Sequence, residues 1–302
     1  MRGNSGQRAD AERKFPRAKR SLGQNFLRDA NIARKMVGLL RIVPEDRVLE
    51  IGPGSGALTR LILEQNPAFL LLAEKDPHWA GERMRDGAGR LRVVLADALL
   101  LPWERFTLPW KFIGNLPYNI ASPLLWEICA RSHGLERAVF MVQKEVGLRM
   151  TAKPGTAAYG ALSVWLQSFV RIKAEFTVPP QVFAPIPKVE SMVLSFCPAK
   201  REEPCPRPRN FDPAALSRVL RLCFQARRKQ LGVILRGLGT RTDALEDLGI
   251  NPETRPEKLS PEDFQRLSAR PPFCDPPDLP PCPLRRKNPE ARRGARKNSN
   301  AP

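Results

Sequence analysis

The chain has 302 residues, a hydrophobic content of 42% and a formal net charge of +19 at pH 7. That is enough apolar material for one good-sized domain and a smaller one, and the charge favours nucleic acid over an anionic membrane as partner. Six cysteines without a CxxC pair and only two histidines argue against a zinc site and for free thiols in a reducing compartment. No apolar run suits a membrane span, and no apolar segment follows the basic N-terminus. We therefore expect a cytoplasmic protein; an organellar transit peptide is the less favoured alternative.

The positive charge is spread over the whole chain. Residues 1–20 carry a net charge of +5 and residues 271–302 a net charge of +4, which leaves +10 for residues 21–270. Both ends are polar or proline-rich, so we predict that they are disordered. Because the central part is basic too, the balance favours a protein that binds nucleic acid.

Strands and helices alternate through the first two thirds of the chain. Asp29 can cap a first helix that runs to Leu40. Five apolar strands are then predicted at 48–51, 69–73, 91–95, 111–114 and 137–142, with helices at 57–63, 77–84 and 123–130 between them. Such alternation is typical of an α/β fold with a parallel sheet flanked by helices.

The last third changes character. A helix at 159–169 and a closing pair of strands at 170–176 and 191–197 are predicted, while 183–188 is too rich in proline for a sheet interior. Four helices follow, beginning at Asp212. The predicted organisation is a disordered extension at 1–20, an α/β domain at 21–198, a proline-rich linker at 199–210, a helical domain at 211–270 and a disordered tail at 271–302.

Three neighbouring strand ends carry groups that suit a nucleoside. The first strand leads into a Gly-Pro-Gly-Ser-Gly turn at 52–56, which lets a ligand approach the backbone closely. Glu74 ends the second strand, where an acid can bind both ribose hydroxyls, and Asp97 ends the third, where it can accept from an adenine amine. Each feature alone is also compatible with a tight turn or a solvated carboxylate. Together they favour S-adenosylmethionine over NAD, because no pyrophosphate pocket is evident.

A fourth strand ends in Asn115-Leu116-Pro117-Tyr118. The adenine amine is a poor nucleophile because its lone pair is delocalised into the ring. Two acceptors, the Asn115 side-chain oxygen and the Pro117 carbonyl, would make the nitrogen more tetrahedral and more nucleophilic without a general base. Tyr118 can stack on the base, which must be flipped out or unpaired. The alternative is an ordinary Asn-Pro turn at a strand end, which the spacing of Asn, Pro and Tyr disfavours.

At these motifs the chain resembles the ribosomal RNA adenine N6-dimethyltransferases, from about Lys19 to Leu267, and most of all their bacterial small-subunit branch. The resemblance implies a Rossmann-like, seven-stranded S-adenosylmethionine-dependent methyltransferase domain with a small helical domain. It also implies dimethylation of two adjacent adenosines in the 3′-terminal hairpin loop of small-subunit rRNA during ribosome assembly. The motifs that carry it are Gln24–Leu27, Glu50–Thr59, Asn115–Pro123, Gln143–Glu145, Phe183–Ser191 and Phe224–Lys229.

The same resemblance implies roles for individual residues. Tyr118 and Phe183 would sandwich the target base. Lys75 is counted with the cofactor site although the family usually has an apolar residue there. The cofactor-binding set is Gln24, Asn25, Leu27, Gly52, Gly54, Glu74, Lys75, Asp97, Ala98 and Asn115.

Basic residues of the helical domain are candidates for phosphate contacts, and Arg218, Arg221 and Arg228 recur at helical spacing. The predicted RNA-binding set is Arg218, Arg221, Arg227, Arg228 and Lys229. We expect a monomer that acts on the immature small ribosomal subunit, without a metal. The alternatives are a large-subunit rRNA methyltransferase that confers antibiotic resistance, a non-catalytic assembly or transcription factor of the same fold, and a less favoured NAD-dependent dehydrogenase.

Overall fold

The computed structural model describes residues 23–85, 89–198, 212–237 and 243–271. The predicted extension at 1–20 and the linker at 199–210 lie outside these residues, as does the tail at 271–302 apart from its first residue. The division into domains therefore stays a prediction. Cys205, Cys274 and Cys282 also fall outside, whereas Cys129, Cys197 and Cys223 are free thiols.

Nine strands and ten α-helices are found in the described residues. The strands are β1 Phe26–Leu27, β2 Arg47–Ile51, β3 Phe69–Glu74, β4 Leu91–Leu95, β5 Trp110–Asn115, β6 Leu135–Gln143, β7 Val170–Val178, β8 Phe183–Ala184 and β9 Ser191–Pro198. The helices are α1 Ala30–Leu40, α2 Ala57–Glu64, α3 Pro77–Arg85, α4 Ala121–Arg131, α5 Lys144–Met150, α6 Ala161–Gln167, α7 Pro213–Gln225, α8 Leu231–Arg236, α9 Asp243–Glu246 and α10 Pro261–Ser268.

Seven strands form one sheet in the order β4-β3-β2-β5-β6-β9-β7. The first five are parallel, and β9 and β7 close the sheet in antiparallel pairing. The chain runs outward from β2 to β4 on one side and from β5 onward on the other. The crevice at the carboxyl ends of β2 and β5 is therefore the switch point at which α/β sheets bind ligands. The predicted fold class and strand count are confirmed.

Three short elements were not predicted. Phe26–Leu27 and Phe183–Ala184 pair as a two-residue antiparallel ladder outside the seven-stranded sheet, so 183–188 stays out of the sheet interior as expected. The ladder stops before Pro185, which has no N–H to donate. Helix α5 was not predicted, because its seven residues are too few to show a clear apolar period.

The described residues of the helical part share a hydrophobic core with the sheet domain. Buried side chains of α7 and α10, such as Leu216 and Phe264, belong to the same hydrophobic cluster as Leu124 of α4 and Leu162 of α6. A second cluster covers the other face of the sheet under α1 and α2. Packing of this kind holds the helical part against the sheet domain over a continuous apolar surface.

Within the described ranges, no helix is long and apolar enough to cross a bilayer. The same residues contain no group of three or more His, Cys, Asp or Glu side chains that suits a metal ion.

Candidate active site

A cleft opens at the carboxyl ends of β2, β3, β4 and β5, with an empty volume of about 1090 Å³ counted out to its open mouth. All ten residues of the predicted cofactor set line it, so the structure brings that set together. Pro117 and Tyr118 line it too. The N-terminal segment 23–27 forms one wall, the glycine turn the floor, and the turn after β5 the opposite rim.

The glycine turn is built for a close approach by a ligand. Gly52 and Gly54 have φ angles of 66° and 48°, in the left-handed region that favours glycine. A Cβ at Gly52 would meet no atom within 4 Å, whereas a Cβ at Gly54 would lie 2.9 Å from the Phe26 ring. The floor therefore presents bare backbone to the cleft, and the Phe26 ring holds the turn from one side.

Glu74 supports the turn and faces the cleft. One of its carboxylate oxygens accepts from the Gly54 N–H at 3.0 Å and the other from the Asp76 N–H at 2.9 Å. The carboxylate is 6% exposed. Each oxygen keeps a second lone pair, so the group can still accept from the paired hydroxyls of a ribose.

Asp97 lies at the end of the cleft predicted for adenine. Its Oδ1 accepts from the Leu99 N–H at 3.0 Å, and its Oδ2 accepts from Lys75 Nζ at 2.9 Å. Ala98 is buried beside it. The Lys75 ammonium therefore orients the Asp97 carboxylate.

Asn115 is oriented by the opposite wall. Its Nδ2 donates to the Asn25 carbonyl at 2.8 Å. A carbonyl can only accept, so the nitrogen of the side-chain amide must face Asn25 and Oδ1 is turned away from it. The side chain is half-buried and lines the cleft. This arrangement presents an acceptor oxygen at the place where the sequence predicted one.

The Pro117 carbonyl is not the free acceptor that we predicted. It already accepts from the Ile120 N–H at 3.1 Å and from the Ala121 N–H at 3.2 Å, at the start of α4. Two donors occupy both lone pairs of a carbonyl oxygen. Leu116 lines the cleft between Asn115 and Pro117, and its N–H donates to the Met141 carbonyl. The carbonyl of Leu116 is the main-chain carbonyl directly before that of Pro117.

The two aromatic residues of the predicted base sandwich are placed differently. Tyr118 is half-buried at the rim, and its hydroxyl is 3.1 Å from the hydroxyl of the fully buried Ser191. Phe183 is 2% exposed in the core cluster and does not line the cleft. Of these two residues, only Tyr118 offers a ring to a base in this conformation, and the role of Phe183 stays a prediction.

The predicted RNA-binding set does not form one stripe. Helix α7 ends at Gln225, so Arg228 does not continue the helical spacing of Arg218 and Arg221. Arg218 is 11% exposed and lies 3.6 Å from Asp212. Arg228 and Lys229 are exposed, whereas Arg227 is half-buried and paired with protein groups.

Glu50 is a functional candidate that the sequence reading missed. It lies at the base of the cleft, is 1% exposed, and accepts a hydrogen bond of 2.7 Å from the Thr59 hydroxyl. Burial raises the pKa of Glu50 to about 7, although Thr59 and Arg83 favour the charged form. An acid inside the apolar run of β2 was the signal available in the sequence.

The raised pKa of Glu50 predicts a pH-dependent stability. Above pH 4.5, the ordinary pKa of a glutamate, the unfolded state releases the Glu50 proton, whereas the folded state keeps it up to about pH 7. The contribution of Glu50 to the free energy of unfolding is therefore fully present below pH 4.5 and is lost as the pH rises to about 7. The shift corresponds to about 3 kcal/mol at most. We expect Glu50→Gln to gain up to this amount over the wild type between pH 5 and pH 8, measured by urea unfolding without cofactor. A difference between the two proteins that does not change with pH would contradict this assignment.

Together these groups form a cleft that suits the nucleoside cofactor of a methyltransferase: a bare glycine floor, two carboxylates at neighbouring strand ends, and an oriented amide oxygen on Asn115. The family model described as ribosomal RNA adenine dimethylase matches residues 16–270. The chain belongs to the ribosomal RNA adenine dimethylase family and is an enzyme that uses S-adenosylmethionine.

Curated relatives are similar over most of the chain. The "Ribosomal RNA small subunit methyltransferase A" of Nitratidesulfovibrio vulgaris strain Hildenborough is 57% identical over 259 residues, which cover 83% of this chain and 96% of the relative. The protein of the same name from Lawsonia intracellularis is 46% identical, with coverage of 83% and 93%.

Among solved structures, a dimethyladenosine transferase from Plasmodium falciparum matches with a TM-score of 0.67 and 27% identity, covering 80% of this chain and 95% of that one. The 23S rRNA methyltransferase ErmE matches with a TM-score of 0.61 and 27% identity, covering 81% and 98%.

Proposed function

We propose that this enzyme dimethylates two adjacent adenosines in the 3′-terminal hairpin loop of small-subunit rRNA. The observation that carries the proposal is the oriented amide of Asn115 at the cofactor cleft, in a chain whose curated relatives are named as small-subunit methyltransferases. Its place of action is the cytoplasm, its substrate the immature small subunit, and its working form a monomer.

S-adenosylmethionine supplies an electrophilic methyl group. For this ligand, Glu74 would hold the ribose and Asp97 with Ala98 the adenine, while Gln24, Asn25 and Leu27 line the other wall. The bare backbone at Gly52 leaves the floor open to it. These residues fit a nucleoside better than a dinucleotide, because the turn at 52–56 borders a single pocket that is flanked by carboxylates.

The target amine is activated by acceptors alone. Asn115 Oδ1 accepts a hydrogen bond from one N–H of the amine. The Leu116 carbonyl, in place of the Pro117 carbonyl that the sequence predicted, accepts a hydrogen bond from the other N–H. Both draw the nitrogen out of conjugation with the ring, and loss of one such preorganised contact typically lowers kcat by about 10²–10³-fold. The Tyr118 ring, tied down through Ser191, stacks on the flipped base.

The choice of ribosomal subunit is tested with labelled S-adenosylmethionine and two substrates, small and large subunits from cells that lack the corresponding modifications. We expect four methyl groups to enter each small subunit and none to enter the large subunit. Label in the large subunit alone would contradict the proposal and would favour the antibiotic-resistance branch instead.

A further inference from the structure

Arg227 follows α7 in the basic run Gln225–Lys229, yet its guanidinium is occupied by the protein. Its Nε donates to Glu257 Oε2 at 2.7 Å, and its Nη2 donates to the carbonyls of Ala157 at 3.0 Å and Thr156 at 3.3 Å. The Arg227 and Glu257 side chains are only 35% and 25% exposed. Three of the five guanidinium N–H groups are used in these bonds, and the Glu257 carboxylate offsets the charge, so Arg227 offers a phosphate less than its exposed neighbours do.

The groups that hold Arg227 belong to both parts of the molecule. Thr156 and Ala157 lie in the exposed loop between α5 and α6, which we call the 151–160 loop, and Glu257 lies between α9 and α10. Two further bonds tie the same segments: the Gly155 N–H donates to the Glu257 carbonyl at 2.6 Å, and the buried Tyr159 hydroxyl donates to the Leu259 carbonyl at 2.8 Å. Among the described residues, Arg227 thus provides one of three sets of hydrogen bonds, here called ties, that join the helical part to the 151–160 loop.

The 151–160 loop leads back to the active site through α5. The main-chain N–H of Lys144, at the start of α5, donates to the Glu190 carbonyl, and its ammonium pairs with the Glu190 carboxylate at 2.7 Å. The next residue, Ser191, holds the Tyr118 hydroxyl. A tie on the 151–160 loop therefore also holds the end of α5, the helix whose start is joined to the rim of the cleft.

We propose that Arg227 is a positioning residue, which fastens the helical part to the 151–160 loop and so fixes where the exposed Arg228 and Lys229 meet RNA. Arg228 and Lys229 carry the phosphate contacts, and Arg227 carries none. The proposal rests on the proposed function in that the partner is taken to be ribosomal RNA.

The tie itself is tested without RNA by hydrogen exchange of the full-length protein. In Arg227→Ala and in Glu257→Ala, we expect exchange at the Gly155 N–H to be at least about ten times faster than in the wild type, because breaking the fork frees the loop. The dissociation constant for S-adenosylmethionine is the control for intact folding and stays unchanged. Unchanged exchange at Gly155 in Arg227→Ala overturns the proposal, whatever the substrate is.

The sign of the Glu257 effect separates positioning from direct contact. If Arg227 bound phosphate, loss of the Glu257 charge would free it and tighten binding to immature small subunits, equally in Glu257→Ala and Glu257→Gln. We expect the opposite for Glu257→Ala, a loss of affinity of about tenfold. Glu257→Gln keeps an acceptor oxygen for the Arg227 guanidinium, so we expect its affinity to be equal to that of the wild type or at most about threefold weaker. Tighter binding by either variant overturns the proposal.

Coupling to the neighbouring cations completes the test. If Arg227 only places Arg228 and Lys229, the affinity lost in Arg227→Ala shrinks markedly once both neighbours are already alanine. A role in overall stability alone would not produce this coupling at a temperature where every variant is folded. Equal losses in the two backgrounds would mean an independent phosphate contact and would overturn the assignment.

Discussion

Asn115→Ala is expected to lower kcat for methyl transfer by at least about 10²–10³-fold, while binding of S-adenosylmethionine falls far less. Alanine removes the Asn115 side-chain oxygen. The hydrogen bond from Asn115 Nδ2 to the Asn25 carbonyl directs that oxygen toward the target amine. The fold should be unaffected, because the side chain is half-buried at the rim and holds no core element. Single-turnover methylation of undermodified small subunits, with calorimetry for the cofactor, measures both quantities.

Two further variants make this result specific to Asn115. Asn31→Ala is the matched control, since Asn31 is an exposed asparagine on α1 that bonds only locally to Arg34, and it should retain full activity. Asn115→Asp keeps an oxygen but has no N–H for the Asn25 carbonyl, so its carboxylate is not held in place and activity should also fall steeply. Wild-type rates in Asn115→Ala would rule out acceptor activation by this residue.

Lys111→Ala is expected to destabilise the fold by about 3–5 kcal/mol, because it leaves a buried carboxylate without its counter-ion. The Lys111 ammonium is 2.6 Å from Asp46 Oδ2 and donates to the Arg41 carbonyl at 2.6 Å, and the side chains of Lys111 and Asp46 are 6% and 9% exposed. Glu136 lies further away, at 3.5 Å. Urea unfolding at pH 7 gives the free energy directly.

The matched control for Lys111 is Lys173→Ala. Lys173 is also on a strand and pairs with Glu175 at 2.7 Å, but its ammonium side chain is 74% exposed, and Glu175, which is 11% exposed, keeps a hydrogen bond from the Ser195 hydroxyl when Lys173 is removed. We expect that change to cost less than about 1 kcal/mol. Equal losses in the two variants would mean that the Lys111 pair is no better than a surface ion pair.

Much of this structure could be predicted because its cues are local. The apolar runs that became β2 to β6, the caps at Asp29 and Asp212, and the acids at strand ends each depend on a few neighbouring residues. A parallel sheet then brings the strand ends to one edge, which is why Gly52, Glu74, Asp97 and Asn115 line one cleft.

The Pro117 carbonyl was misjudged for a local reason: α4 begins at Ala121 and not at residue 123, so the N–H groups of its first turn reach this carbonyl. Other features depend on contacts between distant segments. Arg227 looks like its basic neighbours in sequence, and its bonds to Glu257 and to the carbonyls of Thr156 and Ala157 are visible only in the structure. Phe183 lies in the core because β8 pairs with β1 across the molecule.

We propose that the Asn115 site dimethylates adenosines of small-subunit rRNA, and mass spectrometry of rRNA fragments can locate the product after small subunits from a strain without this modification are incubated with the enzyme and S-adenosylmethionine. We expect N6,N6-dimethyladenosine at two adjacent positions of the 3′-terminal hairpin loop, and far less product from Asn115→Ala in the same time. Methylation at other positions, or an equal yield from Asn115→Ala, would contradict this proposal.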